Sequence, residues 1–224
     1  MPSKYSKSLK HGKKREGNTR FSLYQEDEFN WWDFKFTLGA SALFAIIHFV
    51  SFFLHPTNVF LELSPEMVSM FAFNPQLILT NVFEWYRFIT SLFIHGNIIH
   101  LAGNLLFFVI FSIRLEELKG WPIALTVFLV AGIAGNLLTL VVLSGSPNFW
   151  TLGASGGING LFAAVLVTMR KEYDKGTLSV FAFIVIFASF TIAGQNTNFF
   201  GHLGGLLGGG LFMYYLDEYI DKDF

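Results

Sequence analysis

Four stretches of this chain contain no Asp, Glu, Lys or Arg: residues 36–61, 88–113, 120–169 and 176–216, of 26, 26, 50 and 41 residues. A helix needs about 20 apolar residues to cross a bilayer. The first two stretches therefore hold one span each, and the last two hold two spans and a turn each, which gives six. Charged residues are 14% of the chain against about 25% in soluble domains, too few for a surface that faces water all round. A soluble enzyme and a nucleic-acid binder are excluded. So is an outer-membrane barrel, whose strands would be about 10 residues long and alternating. There is no cysteine, hence no disulfide framework, thiolate metal site or cysteine nucleophile.

The predicted fold is an all-α membrane protein, a six-transmembrane-helix bundle with spans near 35–54, 97–115, 121–143, 153–169, 177–193 and 200–216. Residues 1–34 form a polar tail, basic and then acidic, too poor in apolar residues to fold alone and expected to be disordered. Residues 35–224 form the membrane domain. A cleaved signal peptide is not expected, because the first apolar stretch is long enough to span and no small-residue cleavage site follows it. Between the first two spans lies a long loop, about 55–91. Its apolar segment 67–83 is too short to cross and is broken at Asn74-Pro75, the pattern of a segment that lies in the interface or re-enters. A short charged loop with Arg114, Glu116, Glu117 and Lys119 follows the second span.

Orientation follows from the basic residues. With the N-terminus in the cytoplasm, the inner segments hold 14 Lys and Arg and the outer loops hold only Arg87. Both termini are then cytoplasmic, and the long first loop is extracytoplasmic.

Polar side chains inside spans are costly and mark functional positions. Here they gather at one depth. His95, His100 and Asn104 start the second span, Ser155 starts the fourth and His202 starts the sixth, and these three spans all run from outside to inside. His100 and Asn104, four residues apart, share a helix face. Ser155 opens a helix in Gly153-Ala-Ser-Gly-Gly-Ile-Asn-Gly160, and His202 opens one in Gly201-His-Leu-Gly-Gly-Leu-Leu-Gly-Gly-Gly210. Gly205 and Gly209 lie on the His202 face as a GxxxG pair, a device for close helix approach. If that face meets the glycines after Ser155, serine and histidine come within hydrogen-bond reach, and a serine paired with a histidine base is an activated nucleophile. Ser155 also sits at a helix N-terminus, where free N–H groups favour an anion. His100 and Asn104 can donate toward the same place, the outline of an oxyanion hole.

Taken singly, each of these features has a packing explanation; their convergence argues for chemistry. No metal is expected. His95 and His100 would lie about 140° apart on a helix and lack the carboxylate of HExxH. No cofactor is implied.

The stretches His95-Gly-Asn-Ile-Ile-His100-Leu-Ala-Gly-Asn104, Gly153-Ala-Ser155-Gly156 and Gly201-His202-Leu-Gly-Gly205-Leu-Leu-Gly-Gly209 resemble the HxxxxHxxxN, GxSG and AHxxGxxxG signatures of the rhomboid intramembrane serine proteases. Glu84-Trp-Tyr-Arg87 resembles the family's first-loop arginine motif, and Glu116-Glu-Leu-Lys-Gly120 its ExxxG. The resemblance covers about 36–216.

It implies that Ser155 is the nucleophile and His202 the general base of a dyad without a carboxylate. His100, Asn104 and the Ser155 N–H would bind the oxyanion, with His95 behind them. Glu84 and Arg87 would anchor the first loop, and Glu116 would hold the inner helix ends. It implies hydrolysis of transmembrane-protein substrates in the lipid bilayer by a multi-pass protein of a prokaryotic plasma membrane, with the site open to the outside. Gly201 stands where the family usually has Ala, and Asn159 where some members have an aromatic that stacks on the catalytic histidine. The Phe-rich fifth span (Phe181, Phe183, Phe187, Phe190) with loop 194–199 reads equally as a substrate gate or as a lipid-facing surface. Two other classes stay open: an inactive rhomboid-like protein that binds clients, and a transporter relaying protons through His95, His100 and His202. Against the transporter, the sequence shows no inverted repeat.

Overall fold

Side-chain caps fix where half of the helices begin. In the computed structural model, Asn97 Oδ1 accepts from His100 N (2.9 Å) and starts the helix Ile98–Lys119. Ser64 caps Pro65–Phe71, Asn74 caps Pro75–Thr80, and Asn198 caps Phe199–Tyr215. Numbered along the chain, the helices are α1 (Lys35–Leu54), α2 (Pro65–Phe71), α3 (Pro75–Thr80), α4 (Arg87–Thr90), α5 (Ile98–Lys119), α6 (Trp121–Leu143), α7 (Ser155–Met169) and α8 (Phe199–Tyr215). The structure describes residues 30–170 and 198–220, with Asp174, Gly176 and Ser179. Most of the tail, the fifth span apart from Ser179, and the phenylalanines named in it lie outside the described residues.

Among the described residues, three helices are long and apolar enough to cross a membrane: α1, α5 and α6. The described elements are helical, with only two isolated bridges, Glu62 to Asn97 and Phe73 to Thr151. The segment 67–83 divides at Asn74-Pro75 into α2 and α3, as expected from a proline that a preceding helix cannot continue through.

Two expectations need correction. The charged run after the second span is not a loop: α5 continues through Arg114, Glu116 and Lys119. The helix stops at Gly120, whose φ of 86° is a conformation open to glycine, and α6 begins at the next residue. His95 is not on α5 either, but precedes the Asn97 cap.

Phenylalanines fill the space between the helices. Phe44 of α1 meets Phe108 of α5 edge to face (5.2 Å between centroids), Phe108 meets Phe128 of α6 (5.7 Å), and Phe111 meets Phe162 of α7 (5.1 Å). The first two, edge-on, suit the ring quadrupole, and the third is tilted.

Helix α8 meets two of its neighbours through glycines. A Cβ on Gly204 would lie 2.7 Å from the Ala134 carbonyl oxygen of α6, and one on Gly208 would lie 2.5 Å from Ala134 Cβ. A Cβ on Gly205 or Gly209 would strike the backbone of Gly156 or Gly160 in α7. α8 is therefore wedged between α6 and α7 with a glycine face toward each. The sequence reading anticipated the Gly205–Gly209 face but not the Gly204–Gly208 face. Gly157, grouped with Gly156 and Gly160 from the sequence, faces Phe128 of α6 instead.

At the opposite end of α5 from His100, buried Glu116 accepts from Thr37 N (2.7 Å) and Phe36 N (3.2 Å). The Thr37 hydroxyl lies 2.6 Å from Glu116 and 2.6 Å from Ser112. Glu116 so places a carboxylate on the free N–H groups of the first turn of α1, where the helix dipole favours an anion. On the same side, Asp217 pairs with Lys119 (2.7 Å) and Arg170 (2.9 Å), and Arg170 also pairs with Glu218.

Candidate active site

Ser155 is the first residue of α7, and Ala154 before it gives no side-chain cap. The N–H groups of that first turn are thus left without the side-chain cap that α5 and α8 have. His202 sits in the first turn of α8. The glycine contacts between α7 and α8 bring His202 Nε2 to 2.8 Å from Ser155 Oγ, and the His202 side chain is buried. Asn159 does not stack on this imidazole. Its amide donates back one turn to the Ser155 carbonyl (2.9 Å).

His100 and Asn104 approach from α5. Gly96 N points at His100 Nδ1 (3.4 Å), a long bond that makes Nδ1 the acceptor and leaves the ring proton on Nε2. Asn104 Nδ2 donates one hydrogen to the His100 carbonyl (2.9 Å); a carboxamide nitrogen carries two. Gly153 lies directly against both. A Cβ there would sit 2.8 Å from His100 Nε2 and 3.7 Å from Asn104 Nδ2. Its φ is 112°, a conformation that strains any L side chain. Glycine at 153 is thus required twice, by backbone and by space. Gly156 comes close to the Gly201 carbonyl, where a Cβ would stand at 3.3 Å. His95 is fully buried behind His100, edge-on to it (5.3 Å) and to Phe44 (5.5 Å).

The loop before Ser155 is held from two sides. Gly153 N donates to the Ser91 carbonyl (2.8 Å), and Thr151 and Phe73 exchange two backbone bonds of 2.9 and 3.0 Å. Asn136 of α6 donates to Ser91 Oγ (3.0 Å). The first loop is folded around Arg87, which is buried. Arg87 binds Glu84 and donates to the carbonyls of Ala72 (2.8 Å) and Ser69 (2.8 Å), with Trp150 stacked 5.8 Å away. Behind Ser155 a cavity of about 20 Å³ is lined by Ser91, Asn136, Thr151, Asn198 and His202, enough for about one water.

Of the residues singled out from the sequence, Ser155, His202, His100, Asn104 and Gly153 converge at this point. Gly156, Gly205 and Gly209 form the helix contact beneath it, and His95 lies behind it. Glu84 and Arg87 belong to the first loop, and Glu116 lies at the far end of α5. Asn136, Thr139, Thr151 and Asn198 were not anticipated. The one available signal was an Asn immediately before a helix, the commonest cap chemistry.

A family model described as the Rhomboid domain matches residues 82–218, more than half of the chain. The chain is 33% identical over 150 residues to Rhomboid-like protease 3 of Toxoplasma gondii, covering 62% of this chain and 54% of that one. It is 33% identical over 172 residues to Rhomboid protease GluP of Bacillus subtilis (strain 168), covering 75% of this chain and 32% of that one. Inactive rhomboid protein 1 of Drosophila melanogaster is 31% identical over 130 residues, 56% of this chain and 9% of its own. The chain thus spans about half or less of the length of these relatives. With the domain match enclosing Ser155, His202, His100, Asn104 and Gly153, and with three helices among the described residues apolar and long enough to cross a bilayer, this integral membrane protein belongs to the rhomboid family.

Proposed function

We propose that the chain is an intramembrane serine endopeptidase that cleaves transmembrane-protein substrates in the bilayer. The observation that carries this reading is the 2.8 Å contact between Ser155 Oγ and His202 Nε2, set at the N-terminus of α7. His202 Nε2 accepts the hydroxyl proton as Ser155 attacks the scissile carbonyl, and the imidazolium returns it to the leaving amine. The carbonyl oxygen then carries the charge. The Ser155 N–H, His100 Nε2–H and the second Asn104 Nδ2–H are the donors for it. Water enters to release the acyl group, and the polar cavity behind Ser155 has room for it.

The accompanying topology is six spans, with both termini in the cytoplasm and the site near the outer face. The supporting count is 14 Lys and Arg on the inner side against Arg87 on the outer. A bilayer holds backbone helical, so a substrate must unwind near the cut. This favours segments with Gly, Pro or polar residues there. The test is labelling of the detergent-solubilised chain by a fluorophosphonate, with Ser155→Ala as control. Labelling that vanishes in the control supports the peptidase. Its absence from the parent chain favours the second reading, a client-binding rhomboid-like protein without catalysis; the Drosophila relative named above carries the name of an inactive rhomboid protein.

A further inference from the structure

We propose that Asn198 is a positioning residue that sets His202 against Ser155. The inference rests on the peptidase reading. Asn198 does two jobs with one carboxamide. Its Oδ1 accepts from Gly201 N (3.0 Å), capping α8 one residue before His202. Its Nδ2 donates to Thr139 Oγ1 of α6 (2.8 Å) and to Thr151 Oγ1 in the loop before Ser155 (3.3 Å). Thr139 in turn donates its hydroxyl hydrogen to the Gly135 carbonyl (2.9 Å), so it has no hydrogen left for Asn198 and must receive one from it. Only an amide at 198 satisfies all of these partners. The base-bearing helix, α6 and the nucleophile loop are joined at one side chain.

The neighbouring sequence fits this role. Position 201 carries Gly where the resemblance leads one to expect Ala. A Cβ on Gly201 would stand 2.6 Å from Asn198 Nδ2 and 3.0 Å from its Cγ. Glycine at 201 is therefore the space that the carboxamide occupies. The same residue's carbonyl touches Gly135, where a Cβ would collide with it. The Asn198–Thr139–Gly135 relay thus runs across the closest approach of α6 and α8.

Asn198→Asp separates capping from bracketing. It keeps the Gly201 acceptor, and its charge suits a helix N-terminus, but it presents no hydrogen to Thr139 or Thr151. In the full chain in detergent, the rate constant for fluorophosphonate labelling of Ser155 and kcat on a transmembrane substrate should fall by roughly 10-fold to 10²-fold, the scale of a misplacement of about 1 Å. KM and the melting midpoint should stay near the parent values. Thr139→Val should do the same and Thr139→Ser should restore the rate. Gly201→Ala should slow labelling too, and combining it with Asn198→Asp should add nothing, since both break one bracket.

Parent-like labelling in Asn198→Asp and Thr139→Val overturns the proposal while the peptidase reading stands. So does a midpoint that falls in step with the rate, which would reduce Asn198 to a brace between helices, or a Thr139→Ser variant as slow as Thr139→Val. If the parent chain shows no Ser155-dependent labelling, the peptidase reading fails and takes this proposal with it.

Discussion

At the Ser155 end of the helices, contacts are made by glycine backbones and by neutral amides, hydroxyls and imidazoles. At the Glu116 end they are made by carboxylates, a guanidinium and an ammonium group. Both ends fasten the same helices, α5, α7 and α8, yet the chemistry differs in tolerance. Lys119, Arg170, Asp217 and Glu218 reach across on flexible stems, so their helices can shift slightly without losing the pairs. Gly205 against Gly156 and Gly209 against Gly160 have no such slack. Precision is concentrated where a serine and a histidine must meet, and adaptable charge pairing is used where only cohesion is needed.

That contrast can be broken from either side. The largest effect should come from Ser155→Ala and His202→Ala. Each is expected to remove cleavage of a model transmembrane substrate, a loss on the order of 10⁴-fold or more, with an unchanged melting midpoint; turnover on gels in either variant would refute the dyad. Next, Asn104→Ala and His100→Ala should each lower kcat by roughly 10²–10³-fold with little change in KM, because the charge they meet exists only after attack. Steady-state kinetics separates the two constants, and parent-like kcat in both would remove them from the oxyanion site. Gly205→Ala and Gly209→Ala should lower activity about 10²-fold and stability by roughly 1–3 kcal/mol, since even a methyl group meets backbone.

Glu116→Ala tests the other end. It strips buried Phe36 N and Thr37 N of their acceptor. The expected cost is on the order of 2–3 kcal/mol in stability, with the labelling rate of the folded fraction unchanged. A slowed rate at constant midpoint would mean the two ends are not independent. The smallest effect belongs to Gly210→Ala. Its Cβ would meet only Ala163 Cβ, at 3.3 Å. Activity and midpoint should stay close to the parent, and a collapse like that of Gly209→Ala would show that α8 packs through a wider face than described.

The spacing of charge-free windows and of His100, Asn104, Ser155 and His202 made much of the candidate site legible before any coordinates, because helical period and helix starts are local properties. What stayed hidden was relational. Gly204 and Gly208 look no different from Gly205 and Gly209 in sequence, and only the position of α6 tells which face each pair serves. The bonds of Asn198 to Thr139 and Thr151 join residues 59 and 47 apart, and nothing in either neighbourhood announces the other. Charge misled once: Arg114, Glu116 and Lys119 suggested a loop, but Glu116 finds its partners on the first turn of α1 and the helix runs on to Gly120.

The glycine faces of α8 have a thermodynamic consequence. In lipid, helices are not driven together by the release of water, so the cost of ordering side chains on contact weighs heavily. Glycine has no rotamers to lose. Where Gly205 meets Gly156 and Gly209 meets Gly160, the contact therefore forms without freezing a side chain, and once formed it has none there that can hop. The distance between α7 and α8 beneath Ser155 and His202 is thus set by backbone atoms, and side chains such as Asn198 have only to set the first turn of α8 on that base.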